Sequence, residues 1–247
     1  DTGSITFAGT TYKTDGTQTY TAPAGYNLLV NGGAATTFTT TDDAVSFATA
    51  DVQLANGSDL TVTTAGGAIT ANKIDGTSAE DVTLSSTVGT AKTVSVGAIG
   101  TGTANGINTV ALTGATSVTL NGNITTDNST GNSVTVTGPA LLATGAITIN
   151  TSANVTDQTG AISFTSTIDN AQALTLTAGG ADVTVSGAIG NTAALTSLTV
   201  SGNDISLANI GGAAAGVTGA TGVTAATSGA DTGSITFAGT TYKTDGT

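Results

Sequence analysis

The chain contains no cysteine, methionine, tryptophan, histidine or arginine, and only two prolines among its 247 residues. Without histidine or cysteine it has no imidazole base, no thiol nucleophile and none of the usual ligands of a tetrahedral zinc site. Its four lysines and net charge of −12 exclude the clustered positive charge that phosphate binding requires. No run approaches the roughly 18 apolar residues of a membrane span. We therefore expect no nucleic-acid partner and no membrane insertion.

The residues that are abundant favour β-structure. Threonine makes up nearly a quarter of the chain and glycine is also frequent, whereas only 8% of the residues are charged and 4% are aromatic. Threonine and valine suit a pleated strand, and glycine suits the turns between strands. The low charge also separates this chain from a disordered acidic tail. The composition predicts an all-β protein.

The two ends of the chain carry the same sequence. Residues 1–17 and residues 231–247 both read DTGSITFAGTTYKTDGT, at an offset of 230 positions. Chance does not produce an identity of this length. We predict that residues 1–230 form one tandem repeat unit and that residues 231–247 begin the next identical unit.

A shorter pattern runs through the unit. An apolar residue, a small residue and a second apolar residue recur with the period of two that is typical of a half-buried strand. The middle residue is serine or threonine in twelve of thirteen cases. The thirteen segments are Val45–Phe47, Leu60–Val62, Val82–Leu84, Val94–Val96, Val110–Leu112, Val118–Leu120, Val134–Val136, Ile147–Ile149, Ile162–Phe164, Leu174–Leu176, Val183–Val185, Leu198–Val200 and Ile205–Leu207.

The spacing of these segments indicates a solenoid. From Val94 onward every second segment follows at a similar interval, and the step from Val94 to Val118 equals the step from Leu174 to Leu198. This is typical of a coil with two main strands and corners of variable length. We predict a right-handed parallel β-helix of about ten coils per unit, rising on the order of 50 Å. The alternative is a pair of tandem Ig-like β-sandwiches, which predicts a linker near Gly114.

Two segments stand out at the junction between units. Residues 211–230 are rich in Gly, Ala and Thr and carry no charge, so they form either a flexible seam or a further thin coil. Residues 4–30 are the most aromatic part of the chain. We expect Tyr12, Tyr20 and Tyr26 to pack at this junction, or to serve as a ligand site, because exposed aromatic rings stack on sugars.

Several phrases resemble the strand repeats of very large bacterial surface proteins. They are GSITFAG (3–9), TDGTQTYTAPAG (14–25), ALTLTAGGADVTVSGAIG (173–190) and SLTVSGNDISLANIGG (197–212). They are similar to those of filamentous-haemagglutinin-type exoproteins and related giant adhesins. The resemblance implies secretion to the cell surface, a β-helical stalk and a role in adhesion, biofilm matrix or filaments. That family offers no catalytic residues to carry over.

The acidic residues are the remaining material for chemistry. Asp42 and Asp43 are adjacent on an expected strand, so their side chains would point to opposite faces and could not act as a catalytic pair. We therefore expect no enzyme and no cofactor. The acidic balance leaves calcium binding open, with Asp42, Asp43 and Asp127 as candidate ligands, although the chain has neither an EF-hand loop nor the calcium-binding nonapeptide pattern.

Six Thr-x-Thr triplets resemble the hydroxyl arrays of ice-binding solenoids. They begin at positions 19, 37, 61, 135, 165 and 175. Because these intervals are irregular, we predict that the triplets do not form one ladder and that the protein does not bind ice.

These observations predict a structural segment of a long secreted fibre, stalk or biofilm-matrix filament. Its main partner is expected to be itself, through head-to-tail repeats and lateral bundling of hydroxyl-rich faces. The alternative function is an adhesin module with a defined ligand site for a glycan or a neighbouring cell.

Overall fold

The computed structural model describes residues 3–89, 91–100, 106–126, 133–153, 160–228 and 231–245. Within these residues the secondary structure consists of β-strands, and there is no helix. The strands are β1 (Ile5–Phe7), β2 (Thr11–Thr14), β3 (Gln18–Thr19), β4 (Asn27–Val30), β5 (Thr36–Thr40), β6 (Val45–Phe47), β7 (Asp51–Leu54), β8 (Leu60–Thr64), β9 (Ile69–Ala71), β10 (Ile74–Asp75), β11 (Glu80–Ser86), β12 (Thr93–Val96), β13 (Ile107–Gly114), β14 (Ser117–Leu120), β15 (Ile124–Thr125), β16 (Ser133–Thr137), β17 (Ala140–Leu142), β18 (Ile147–Asn150), β19 (Ile162–Phe164), β20 (Ile168–Asp169), β21 (Ala173–Thr177), β22 (Val183–Val185), β23 (Ser197–Gly202), β24 (Asp204–Leu207), β25 (Thr221–Ala225) and β26 (Ser234–Phe237).

These strands wind into a parallel β-solenoid with three faces. Face A contains β1, β4, β7 and β10, and continues through Ile99 to β15, β18, β21, β23 and β25. Face B is one ten-stranded sheet, in the order β2, β5, β8, β11, β13, β16, β19, β22, β24 and β26. Face C runs from β3 through β6, β9, β12, β14 and β17 to β20, and continues through Ile189 and Ile210.

The predicted pattern of apolar residues builds the core of the solenoid. All thirteen segments lie in strands, and their apolar residues are buried while the middle residues face outward. Most of the predicted partners are adjacent, since Val94 pairs with Val118 and Leu174 pairs with Leu198. The step from Val118 to Ile147 is an exception, because Val118 pairs with Ala140 on face C whereas Ile147 lies on face A. The predicted parallel β-helix is therefore confirmed. The alternative of Ig-like sandwiches is wrong, because every pairing between the strands named above is parallel.

The number of strands in a turn differs from the prediction. Each turn has three faces rather than two main strands. Several of the additional strands are short: β10, β15 and β20 have two residues each, and Ile99 contributes a single bridge. Segments of one or two residues cannot show the alternation on which the sequence search depended. Because a turn with three faces uses more residues than expected, one unit contains nine and a third turns rather than the predicted ten.

Glycine closes some corners where no other residue fits. Gly190 has a φ of 64°, and a Cβ atom at this position would lie 2.0 Å from the carbonyl oxygen of Gly216 in the next turn. Only glycine combines a left-handed backbone with such a close approach. These corners allow turns of different length to stack without disturbing the register of the strands.

The Gly/Ala/Thr-rich segment contributes to the solenoid wall. Its residues 221–225 form β25, which pairs with β23 on face A. Val217 is fully buried and bridges Leu195 of the preceding turn. The final residues continue the wall, since β26 pairs with β24 on face B.

Candidate functional site

Many acidic side chains bind the backbone of the following turn. Asp59 accepts a hydrogen bond of 2.8 Å from the backbone N–H of Asp81, which occupies the equivalent position one turn later. Asp81 in turn accepts from the backbone N–H of Thr109 at 3.0 Å and from its hydroxyl at 2.7 Å. Asp182 accepts from the N–H of Asp204 at 3.2 Å on the same face. These carboxylates therefore join successive turns, which solvated loop acids would not do.

Glu80 is a fully buried carboxylate and the single glutamate of the chain. One of its oxygens accepts hydrogen bonds of 2.8 Å from the backbone N–H groups of both Thr77 and Ser78. The other oxygen accepts from the N–H of Gly57, in the preceding turn, at 3.3 Å. All three partners are neutral donors of the main chain, so this carboxylate closes a corner. It was not among the predicted site residues, and its one signal in the sequence is that a glutamate occurs once among the many aspartates.

The calcium candidates do not lie as expected. Asp42 and Asp43 are in the bend between β5 and β6, not on a strand, because the chain turns the corner after Thr40. The hydroxyl of Thr40 donates to the main-chain oxygen of Asp43, and the hydroxyl of Thr17 lies 3.4 Å from its carboxylate. Asp127 lies outside the described residues. In the part of the chain that is described, no three Asp, Glu, His or Cys side chains are grouped to hold a metal ion.

Two of the three tyrosines proposed for a junction or ligand site belong to an aromatic cluster at the first turns. The ring of Tyr12 stacks on Phe38 with centroids 4.9 Å apart, and the ring of Tyr20 stacks on Phe47 at 5.4 Å. Phe7 contacts Tyr12, Tyr20 and Phe38 edge to face. Both tyrosine rings are half-buried by these contacts.

The hydroxyl groups of these two tyrosines are also used within the protein. The Tyr12 hydroxyl accepts from the backbone N–H of Gly9 at 2.9 Å, and the Tyr20 hydroxyl donates to the side-chain oxygen of Gln18 at 3.1 Å. Burial, and to a smaller degree the neighbouring Tyr12, raises the pKa of Tyr20 above its ordinary value. A ring held in this way has little face left on which a sugar could stack.

Tyr26 is placed differently from the other two. Its ring is 39% exposed and borders a groove that also contains Asn27, Asp51 and Asn72. The side-chain amide of Asn72 donates to the carboxylate of Asp51 at 2.8 Å. Tyr26 is thus the tyrosine of the proposed set whose exposure suits ligand binding.

Face B carries a column of outward hydroxyl groups along its whole length. In strand order the column reads Thr11, Thr37, Thr61, Thr83, Ala111, Thr135, Ser163, Thr184, Ser206 and Thr236, and each residue is paired in register with the next. A second column, two residues further along the strands, reads Lys13, Thr39, Thr63, Ser85, Thr113 and Thr137. None of these side chains is buried.

The prediction that the six triplets do not form one ladder is correct, because Thr19 lies on face C and Thr175 lies on face A. Face B nevertheless carries a partial ladder that was not expected. The triplets 37–39, 61–63 and 135–137 lie on face B in common register, and the strands between them present the same short side chains. Successive members of the first column are unevenly spaced along the chain, since the step from 163 to 184 is shorter than the step from 206 to 236. The corners absorb these differences, while the buried apolar neighbours hold each strand in register. Irregular spacing along the sequence therefore does not exclude alignment of three of the triplets on one face.

The last turn ends in an exposed apolar surface. Ile235, Phe237 and Tyr242 are 39%, 52% and 40% exposed. Together with Ile210 and Val223 they line a concavity of about 670 Å³. We refer to Ile235, Phe237 and Tyr242 as the terminal patch. The terminal patch was not predicted, because residues 231–247 repeat residues 1–17 and nothing in this sequence distinguishes an exposed copy from a covered one.

Comparison with known proteins identifies no relative of this chain. No protein-family model, curated protein or solved structure matches this chain. Among the described residues, no helix is long and apolar enough to cross a membrane.

Proposed function

We propose that this chain is a structural segment of a long, secreted, repeat-built fibre or stalk at a cell surface. The observation that carries the proposal is the continuity of the solenoid through the repeated sequence. Residues 231–245 do not begin a separate domain, since β26 extends face B and Tyr242 extends face C. The resemblance to giant bacterial adhesins supports the same function.

The mechanical properties of such a fibre follow from the contacts between turns. Each turn is joined to the next by backbone hydrogen bonds on three faces and by a continuous apolar core. Carboxylates such as Asp59 and Asp81 add hydrogen bonds between successive turns. In a solenoid the stability comes from such neighbour contacts, so the array lengthens without needing a new core.

The length of a two-unit chain tests this function. Residues 1–230 followed by residues 1–247 should form one rod, with the second unit adding about 45 Å at the strand spacing of about 4.8 Å per turn. Electron cryo-microscopy or small-angle scattering measures this increment. The matched control replaces residues 211–230 of the first unit by a flexible Gly/Ser linker and should give two separate bodies. Two hinged bodies in the unaltered chain would contradict the proposal.

Face B provides a surface for lateral bundling of fibres. Its two columns contain hydroxyl groups with one lysine and one alanine among them, so little charge opposes close approach of two such faces. The double variant Thr61→Lys/Thr135→Lys should reduce bundling in sedimentation experiments at low salt, where charge is least screened, because it places charge in the centre of the face. Thr199→Lys, on the outward side of face A, is the control. Equal sedimentation of all three proteins would exclude face B as the contact.

The same array supports ice binding as a second candidate function. Ice-binding solenoids use regular Thr-x-Thr arrays on a flat face, and on face B the triplets 37–39, 61–63 and 135–137 lie in common register with other short side chains between them. If face B contacts ice, the wild-type chain should show thermal hysteresis, and Thr61→Lys/Thr135→Lys should abolish it while Thr199→Lys retains it. Absence of hysteresis in the wild-type protein would remove this candidate and leave the fibre proposal intact.

Ligand recognition by an adhesin module is the alternative function, and the exposed ring of Tyr26 beside its groove supports a sugar site at this position. A glycan array compares the wild-type protein with Tyr26→Ala, and Tyr12→Ala serves as a control for loss of packing. Binding that is lost only in Tyr26→Ala would support a sugar site there. Equal binding by all three proteins would exclude it.

A further inference from the structure

The sequence that occurs twice in the chain lies on different faces in its two copies. In the first copy, β1 (Ile5–Phe7) belongs to face A and Tyr12 to face B. In the second copy, β26 (Ser234–Phe237) belongs to face B, and Tyr242 pairs with Ile210 on face C. The second copy therefore starts one face further around the solenoid than the first.

The corner within this sequence has the same internal geometry in both copies. The rings of Phe7 and Tyr12 are 5.1 Å apart at 77°, and those of Phe237 and Tyr242 are 4.8 Å apart at 70°. In each copy the tyrosine hydroxyl accepts a hydrogen bond from a backbone N–H three residues earlier, at 2.9 Å and 2.6 Å. The sequence thus builds its own corner, whichever pair of faces the corner joins.

The first copy also shows what covers the side chains of the terminal patch. Phe7 is only 4% exposed, whereas the equivalent Phe237 is 52% exposed. The difference is the neighbouring turn: Phe7 contacts Tyr20 and Phe38 at centroid distances of 4.9 Å and 5.0 Å. Both of these rings lie in the segment 18–47.

We infer that each repeat unit is rotated by one face, a third of a turn, relative to the unit before it. We further infer that the terminal patch is the docking surface for a second copy of segment 18–47. This inference rests on the proposed function, because it applies to a chain in which the units follow one another. Its cause is that one unit contains nine turns and a third, so the next unit cannot start on the same face.

The rotation determines how surface features are arranged along a fibre. The hydroxyl columns of face B in one unit pass to the face occupied by face C in the next unit. A given face returns after three units, which is on the order of 130 Å along the axis. On any one side of the fibre, the hydroxyl columns therefore extend over a single unit before the rotation moves them to the next face. A lateral contact through these columns is limited to that length.

Pairs of nitroxide spin labels test the rotation in the 247-residue protein. The chain has no cysteine, so introduced cysteines are the sole labelling sites. Ser206 and Thr236 are paired neighbours on face B. Labels on Ser206→Cys/Thr236→Cys should show strong dipolar broadening, whereas labels on Thr199→Cys/Thr236→Cys, on different faces, should not. If residues 211–230 instead looped out of the solenoid, β26 would pair with β23 on face A. The Thr199/Thr236 labels would then show the strong broadening, and this result would overturn the inference.

Alkylation of a cysteine in the terminal patch tests whether a second copy of segment 18–47 covers the patch. In the 247-residue protein Phe237→Cys should react readily with iodoacetamide. In the two-unit chain the same cysteine should react at least about tenfold more slowly, because the following turns cover it and reaction requires local opening. Equal rates in the two proteins would overturn the assigned occupant. Gly222→Cys, exposed on β25, is the control and should react at similar rates in both.

The outcomes of these tests are distinguishable from failure of the proposed function. A two-unit chain that forms one continuous rod, but in which the Thr199 and Thr236 labels are in contact, retains the fibre and excludes the rotation. Two hinged bodies exclude the fibre. If Phe237→Cys prevents folding, the label pairs at exposed positions still decide the rotation.

Discussion

Glu80 offers the sharpest test of how the corners hold the solenoid together. Its carboxylate is fully buried and accepts hydrogen bonds from three backbone N–H groups, those of Gly57, Thr77 and Ser78. Replacing it by alanine removes the acceptor and leaves all three donors without their partner. We predict that Glu80→Ala lowers the free energy of unfolding.

The expected size of this loss follows from the geometry. A hydrogen bond to a charged group contributes about 1.5–3 kcal/mol, and an unsatisfied buried donor costs a similar amount. Two of the three bonds are 2.8 Å long and one is 3.3 Å, so about two full contributions are at stake. Thr77 and Ser78 are exposed, which lets water reach their N–H groups in the variant. We expect a loss of about 3 kcal/mol for Glu80→Ala, and about half as much for Glu80→Gln, which retains one acceptor oxygen.

Urea denaturation followed by far-ultraviolet circular dichroism measures the loss, since the chain has no tryptophan to serve as a fluorescent probe. Hydrogen exchange locates it, because the amides of Gly57, Thr77 and Ser78 should exchange faster in Glu80→Ala. The control is Ser78→Ala, which keeps the backbone donor to Glu80 and should stay within about 0.5 kcal/mol of wild type. An unchanged urea midpoint together with unchanged protection of these three amides in Glu80→Ala would refute the reasoning.

Other positions test the corners, the inter-turn carboxylates and the aromatic cluster. Gly190→Ala should cost more than about 1 kcal/mol in urea denaturation, because its φ is positive and the new Cβ would meet backbone, whereas Gly222→Ala meets no atom within 4 Å and should be nearly neutral. Asp81→Ala should cost about 1–2 kcal/mol by the same measurement, and Asp81→Asn less, because the amide oxygen can still accept from Thr109; equal losses would show that charge, not the acceptor, matters. The raised pKa of Tyr20 means that the unfolded chain loses this proton first, so stability should fall as pH rises from about 10 through the folded pKa. Tyr20→Phe should remove that part of the fall in thermal melts carried out at alkaline pH, and an identical pH profile would contradict it.

The strands with strong alternation could be predicted from the sequence, and most of their partners could be predicted as well. Val94 and Val118 were expected in successive coils, and they do pair. This succeeded because a half-buried strand must alternate, and because stacking places like residues over one another. The predicted segments lie on all three faces, but the third strand of many turns could not be found in this way, since a two-residue strand such as Ile74–Asp75 has no period to detect.

The candidate sites were less accessible to sequence analysis. Asp42 and Asp43 were expected on a strand, yet they lie in a bend, because the position of a corner depends on where the preceding strand runs out of partners. Tyr12 and Tyr26 are the same residue type in the same aromatic segment, yet one is half-buried in the aromatic cluster and the other borders an open groove. Exposure is a property of the neighbouring turn, which the local sequence does not contain.

The sequence alone determines three features: the all-β class, the buried face of each long strand and the recurrence of the end sequence. These features depend only on local periodicity and on residue identity. The registered hydroxyl columns of face B depend instead on corners that absorb loops of different length. The face on which the repeated sequence lies likewise depends on how many faces the chain passes within the whole unit. The same sequence begins on face A in its first copy and on face B in its second, since the number of turns between the copies is set by every corner in the unit.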